Sequence, residues 1–401
     1  MSGRTYDLVV IGGGIGGSTL ARTMAENGAD VLLIEREPVF RDRVRGEWLA
    51  PWGVAEAKRL NIYDVIMAAD GHQLRYLRSN GEEPRDLEET TSCRQPSLSF
   101  YHPMVQEALL DAASAAGAAI WRGAMARLEC RNGKNIVVAH RAGKEVRLRA
   151  RMIVAADGRN SMTRKRAHFK TERDPKKLSV AGLLLDDMTA PDDSVHTWLD
   201  SWIDADSGLF ALLFPQGGGR VRVYIAYITS SSYRFSGSAA IPQFIQLFPK
   251  TGVPAEYFTT AKVSGPLASY SGADAWVVHP YQNGVALIGD AAATSDPTHG
   301  QGMSLTLRDV RVLSELLLSH EHWDEAGHAY AAEHDRYYDI SHTYASWMKE
   351  LVFSVGDEAG ERREKVLRLW SDDSTRDPDI VMSGPDQTLD EEKRRRCYGI
   401  E

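Results

Sequence analysis

The sequence predicts a mixed α/β fold: a mainly parallel sheet built from both ends of the chain, an inserted antiparallel sheet, and a helical C-terminal region. Three observations carry that expectation. Five of the six residues 12–17 are glycine, and they stand between two short runs of consecutive apolar residues. Residues 220–228 alternate, with Val221, Val223, Ile225 and Tyr227 set between other residue types. A third short apolar run, 285–288, lies far from the first two in sequence.

Taken in order, Leu8, Val9, Val10 and Ile11 are consecutive residues of high β propensity and predict a buried strand over 6–11. Ser18, Thr19, Leu20, Ala21, Met24 and Ala25 suit a helix over 15–27, ended by Gly28 as a left-handed cap. A second strand over 30–34 ends at Glu35. The short crossover makes these two strands parallel, a βαβ unit. Residues 103–116 form a helix with Val105, Leu109, Leu110 and Ala113 on one side. Short strands are expected over 125–130, 135–140 and 145–148, divided by the turn pairs Asn132-Gly133 and Ala142-Gly143. A separate buried strand over 152–156 closes at Asp157-Gly158. Between 178 and 269 the period of two predicts a half-buried antiparallel sheet. After the strand at 285–288, a loop leads into an amphipathic helix reaching about 319, and helical pattern continues to about 370. From Ser371 the chain is polar and carries Pro378 and Pro385, so it is expected to be poorly ordered or to pack as an extension.

Composition narrows the function classes. With 43% hydrophobic and 25% charged residues in 401, the chain is an ordinary globular protein. A net charge of −8 leaves no basic footprint for nucleic acid. Cys93, Cys130 and Cys397 are odd in number and far apart, which excludes a local disulfide framework or Cys-x-x-Cys knuckle and suits a reducing cytoplasm. No apolar run reaches the roughly 18 residues of a membrane span, and the N-terminal run is flanked by Asp7 and broken by glycines, unlike a signal peptide. The basic clusters 164–166 and 394–396 read as solvated charge. His328 and His334 are six apart and do not share a helical face, so the histidines at 320, 322, 328, 334 and 342 are read as surface or capping residues and no metal site is expected. Trp198, Trp202 and Trp276 suit a core more than a pocket. No Gly-x-Ser-x-Gly elbow or Walker loop is present.

The chemistry rests on three motifs. In Gly12-x-Gly14-x-x-Gly17 the glycines allow a tight strand-to-helix turn and close approach to a pyrophosphate, with the helix N-terminus at Ile15 offering N–H groups. Glu35 follows at the end of the second strand, where a carboxylate accepts from ribose hydroxyls; Glu35-Arg36 suits an adenosine ribose without a 2′-phosphate, as in FAD or NAD. The second motif is Gly289-Asp290 after the third strand, then Asp296-Pro297-Thr298-His299-Gly300-Gln301-Gly302-Met303-Ser304 opening a helix that reaches Asp309. The third is Asp157-Gly158-Arg159-Asn160-Ser161.

Together these resemble the class A flavoprotein monooxygenases, the family of the para-hydroxybenzoate hydroxylase fold, over roughly residues 5–370. The resemblance implies a Rossmann-like FAD-binding domain assembled from 1–75, 97–177 and 270–370, a substrate sheet from 76–96 and 178–269, and a tail from 371–401. It implies that Asp290 holds the ribityl chain, and that Pro297, Gly300, Gly302 and Met303 seat the isoalloxazine ring. Asp157 and Gly158 then lie near the pyrophosphate, Arg45 touches the phosphates, and Gln106 binds FAD one turn into its helix. A helix N-terminus aimed at the ring stabilises the negative charge of reduced flavin. The chain departs from the family at Ala293 (a histidine there), Ser304 (an asparagine) and His102 (an arginine).

The implied activity is an FAD monooxygenase: NADH or NADPH reduces the flavin, O₂ adds to give a C4a-hydroperoxide, and one oxygen passes to a hydrophobic, aromatic or polyketide-like molecule. His299, just before Gly300, is the side chain near the ring expected to be catalytic, with a structural or loop-capping role as the alternative. Alternatives are a geranylgeranyl-reductase-like flavoprotein on the same fold and a non-enzymatic FAD-binding protein. A flavin halogenase would carry Trp-x-Trp-x-Ile-Pro, which residues 198–203 do not match. A cytoplasmic monomer or homodimer is expected.

Overall fold

The computed structural model describes residues 5–400 apart from 45, 132, 133, 142, 177, 200–208, 230, 232, 353 and 355. Arg45, Trp202 and the Asn132-Gly133 pair therefore lie outside the described residues.

The parallel sheet is built on β1 (Thr5–Ile11), which is followed by helix α1 (Ile15–Glu26) and strand β2 (Val31–Glu35). Gly28 adopts the left-handed conformation just past α1. Helices α2 (Pro51–Arg59) and α3 (His102–Ala115) come next, then β3 (Ala119–Arg122), β4 (Met125–Arg131), β5 (Lys134–Arg141) and β6 (Lys144–Ala155). The antiparallel sheet contributes β7 (Leu178–Asp186), β8 (Ser194–Trp198), β9 (Leu209–Pro215) and β10 (Val221–Ile228). The chain then returns through β11 (Val285–Leu287) to the long helices α4 (Gly302–Ser319) and α5 (Trp323–Leu351).

The parallel sheet runs in the order β3, β2, β1, β6, β11, with the β4–β5 hairpin joined to β6. Leu8, Val10 and Leu33 turn toward the face covered by the helices; Val9, Ile11, Leu32 and Ile34 turn to the hairpin side with Leu128, Val137 and Ala139. Strand alternation thus supplies two buried faces, as a parallel sheet requires.

Two expectations about strands are corrected. The segments 145–148 and 152–156 are one strand, β6. Its first half pairs antiparallel with β5, as in Leu148 opposite Val137, and its second half pairs parallel with β1, as in Arg149 opposite Thr5. The change in residue character that suggested two strands marks the passage from a hairpin exposed on one side to a covered sheet.

The second correction is that the antiparallel sheet is not half-buried. Seven of the eight residues of β10 are buried. Val221, Val223, Ile225 and Tyr227 pack on Phe235, Phe244 and Phe248, while Arg222, Tyr224 and Ala226 turn to the opposite face, where Tyr224 and Ala226 join the core that includes α1 and α4. Of the intervening residues, Arg222 and Tyr224 are polar because they belong to a buried cluster with Asp42 and Glu47, not because they meet water. The sheet order is β7, β10, β9, β8, with Tyr76–Ser79 added in parallel beside β8.

The residues after 371 pack on the body. Gln301 Nε2 donates to the Val381 carbonyl at 3.1 Å, and Arg308 on α4 reaches both Asp386 oxygens at 2.7 and 2.8 Å. Beneath that contact, wholly buried Glu56 on α2 takes Arg308 Nε at 2.7 Å and Arg311 Nε at 2.5 Å. Removing the carboxylate charge leaves Arg308 only Asp386 and Arg311 only Glu315, and breaking a buried pair is a class of change that costs about 3–5 kcal/mol. Glu56→Gln should lower the unfolding free energy by about 3 kcal/mol, the lower end because Asp386 remains, read as a fall in the urea midpoint at unchanged slope.

Candidate functional site

At the C-terminal ends of β1, β2 and β6 the backbones close to within contact. A Cβ on Gly12 would lie 2.3 Å from the Ala156 carbonyl oxygen, and one on Gly17 would lie 2.0 Å from the Gly12 carbonyl oxygen. Only glycine permits this approach, and it points the start of α1 into the space beyond the sheet. No side chain caps that helix and no acidic residue occupies its first turn, so its N–H groups and partial positive charge stay available to an anion. At Gly14 an added Cβ would make only an ordinary contact, with Gln106 Nε2 at 3.7 Å, and would enter the space at the helix start.

That space is a cavity of about 560 Å³. Gly12, Gly14, Ile15, Gly17, Glu35, Arg36, Gln106, Asp157, Gly158, Asp290, Pro297, Gly300, Gly302 and Met303 all line it. Every described residue expected to bind the cofactor is therefore brought to one place from opposite ends of the chain. His299 is not among the lining residues; it is buried just behind Pro297 and Gly300. Burial, with Lys349 nearby, pushes its imidazole down to about 4.

Glu35 is buried, and its two oxygens accept from Gly13 N at 2.6 Å and Glu37 N at 2.7 Å. Asp157 caps the turn to Met162–Arg166, its Oδ2 accepting from Met162 N, Thr163 N and Thr163 Oγ1, each at 3.0 Å. Its Oδ1 is buried and takes no hydrogen bond among the described residues.

Arg164, expected in a solvated basic cluster, is buried instead. Its guanidinium donates to the carbonyls of Ala291 at 2.9 Å, Asp290 at 3.3 Å and Arg159 at 2.8 Å, tying the second and third motifs together. Lys165 and Arg166 of the same cluster are exposed. The Gly289 end of the second motif is held from below, where Asp309 Oδ2 accepts Gly289 N at 2.7 Å and Oδ1 accepts the Tyr337 hydroxyl. Burial raises the Asp309 carboxyl above the usual range, with His334 acting against it. His334, expected at the surface, is buried there because it stacks on Tyr338 beside Tyr337.

The loop before α4 is clamped by charge. Asp274 Oδ1 accepts Asp296 N at 2.9 Å, and Lys349 on α5 reaches Asp274 Oδ2 at 2.5 Å and Asp296 Oδ2 at 3.5 Å. Asp174, Asp274 and His342 bring ligand atoms within 4.8 Å of one another, and the Lys349 ammonium already supplies a cation beside both carboxylates. Gly300 has φ of +64°, and a Cβ there would strike the Trp48 ring at 2.5 Å. Ser304, at the position where an asparagine was anticipated, lies under α2, and a Cβ on Gly53 would stand 2.2 Å from its hydroxyl. His102 holds the Gly46 carbonyl through Nδ1 at 2.5 Å and lines the cavity.

Sequence reasoning did not single out Glu47, Trp48, Phe214 or Tyr224, which line the cavity toward the antiparallel sheet. Trp198 is core, as anticipated, while Trp276 is half-buried against Tyr338 and His342.

The family described as FAD binding domain matches residues 5–350. The chain belongs to that family. It is the class A flavoprotein monooxygenase family that the three motifs resemble. Among curated relatives, a digeranylgeranylglycerophospholipid reductase of Methanosarcina acetivorans is 27% identical over 311 residues, covering 74% of this chain and 71% of the relative. A menaquinone reductase of Mycobacterium tuberculosis is 28% identical over 334 residues, covering 79% and 77%. Among solved structures, the p-nitrophenol 4-monooxygenase of Pseudomonas putida superposes with a TM-score of 0.78 at 17% identity, covering 94% of this chain and 97% of that one. A geranylgeranyl bacteriochlorophyll reductase-like protein of Thermoplasma acidophilum gives 0.72 at 21% identity, covering 99% and 96%. The chain is thus an FAD-binding oxidoreductase of this fold, and no helix among its described residues is long and apolar enough to cross a membrane.

Two outcomes follow. Gly14 is extended, with φ of −67°, so Gly14→Ala should leave apoprotein stability within about 0.5 kcal/mol while weakening FAD binding about tenfold or more, measured by flavin fluorescence quenching. His299 has a folded-state value below its unfolded one, so its contribution is complete above about pH 6.5 and is lost as pH falls toward 4. On the order of 3 kcal/mol of stability should disappear across that window, and His299→Gln should flatten the dependence in urea unfolding.

Proposed function

We propose that the protein is an FAD-dependent monooxygenase that uses NADH or NADPH and O₂ to hydroxylate or epoxidise a hydrophobic small molecule. The observation that carries this reading is the continuity of the cavity. One space runs from the glycine turn and Glu35, past the start of α4, to an apolar wall of Val180, Leu212, Phe214 and Tyr224 on the antiparallel sheet. A pyrophosphate-binding end and an apolar end thus meet at an uncapped helix start.

FAD fits the residues present: a glycine cradle, an available N-terminus on α1, and the buried Asp157 Oδ1 awaiting a donor. Gly12, Gly14 and Gly17 with Ile15 would receive the pyrophosphate, Glu35 the ribose and Asp290 the ribityl chain. Pro297, Gly300, Gly302 and Met303 would seat the ring. When bound, FAD supplies two-electron transfer from the nicotinamide and the activation of oxygen. The chain's own part is positioning, water exclusion and charge. The α4 N-terminus carries no side-chain cap and favours negative charge at its end, and the apolar sheet wall keeps the substrate side dry.

The reductases among the curated relatives support a second reading, hydrogenation of an isoprenoid-type double bond by the same cofactor. One experiment separates the two. With reduced nicotinamide and an extract of candidate apolar metabolites, monooxygenation should consume one O₂ per product and add one oxygen atom, visible by mass spectrometry with ¹⁸O₂. Substrate gaining two hydrogens under strict anaerobiosis, without incorporated oxygen, would replace the first reading by the second.

A further inference from the structure

The sheet-side wall of the cavity is apolar and aromatic around a single carboxylate. Trp48, Val180, Leu212 and Phe214 line it, and Glu47 stands among them at 2% exposure. Its Oε2 accepts the hydroxyl of Tyr224. Its Oε1 is buried and accepts no hydrogen bond among the described residues. Behind it, Arg222 is fully buried, donating to Asp42 Oδ2 at 2.7 Å and standing 3.3 Å from Glu47 Oε1 in a charge contact.

Two carboxylates share one guanidinium, so the cluster carries one negative charge in excess when both are ionised. Burial accordingly raises the Glu47 carboxyl, with Arg222 and Tyr224 pulling the other way. That oxygen has the Arg222 ion contact but no hydrogen bond, and a ligand that brings a hydrogen to it supplies the bond it lacks. A carboxylate ligand adds like charge instead. The fold holds this geometry firmly, since Gly182 on β7 makes room for the Tyr224 ring, where a Cβ would come within 2.4 Å.

We propose that Glu47 sets the specificity of the cavity, accepting the hydrogen of a hydroxyl or amino group on an otherwise apolar ligand and rejecting carboxylates. This rests on the reading that FAD occupies the glycine end and substrate the sheet end. It adds the polar group the substrate must carry.

The test uses the FAD-loaded protein without turnover, so it stands apart from whether oxygen transfer or hydrogenation is catalysed. 2-Naphthol, 2-naphthylmethylamine, 2-methoxynaphthalene and 2-naphthoate are titrated while the flavin absorbance is followed. Wild type should bind the naphthol or the amine about tenfold or more tighter than the methoxy compound and the naphthoate, the effect of a hydrogen bond to a charged group. Glu47→Gln should compress the difference to about threefold or less and raise the naphthoate affinity. Tyr224→Phe keeps the ring and frees Oε2, so it should retain the preference, with flavin content reporting the fold of each variant. Equal wild-type affinities, an unchanged preference in Glu47→Gln, a lost preference in Tyr224→Phe, or binding of none of the four overturns the assignment.

Discussion

The structure depends on a place where side chains are absent. Gly12 against Ala156 and Gly17 against Gly12 let two strands and a helix meet backbone to backbone. Any Cβ there would push α1 away from the sheet, and the N–H groups of its first turn would lose their aim. The later parts of the cavity lining are built beside this contact. The Asp157 turn follows directly from β6, and α4 packs on α1, where a Cβ on Gly16 would lie 2.7 Å from Thr306.

Around that contact, buried charge joins the parts of the molecule. Glu56 with Arg308 and Arg311 binds α2 to α4. Lys349 with Asp274 and Asp296 binds α5 to the loop before α4. Arg222 with Asp42 and Glu47 binds the antiparallel sheet to the segment after β2. Such clusters contribute little net stability compared with apolar packing, yet they penalise wrong arrangements severely, because any mismatch leaves a charge alone in the interior. The second cluster adjoins the cavity lining at Ser295 and Pro297, and the third contributes Glu47 to it.

The parts of the site that were legible in the sequence are those whose chemistry is local. Glycines at fixed spacing after an apolar run, a carboxylate closing the next strand and an Asp-Gly after β6 announce themselves because the backbone geometry demands those residue types. Arg164 was not legible: whether a guanidinium in a basic run is solvated depends on carbonyls 126 and 127 residues away. Glu47 and Tyr224 are 177 residues apart, and nothing in either neighbourhood signals the other. The alternation in β10 was real, but its polar phase faces another buried surface, and periodicity cannot tell water from a salt bridge. His334 was misjudged for a related reason, since its stacking partner Tyr338 lies at helical spacing while the carboxylate it serves, Asp309, sits on a different helix.

The order of the sheet also governs how the molecule comes into being. During synthesis the first βαβ unit emerges early, but β11, its neighbour across β6, is supplied only at residues 285–287, and the cavity-lining Gly300 and Gly302 later still. Closing so long a loop is entropically mild, since each doubling of length costs about 0.6 kcal/mol. The delay is the larger matter, because α3 covers only part of α1 and the rest of that helix stays open until α4 arrives. Until α4 is translated, the nascent chain holds the glycine turn without the far end of the cavity lining.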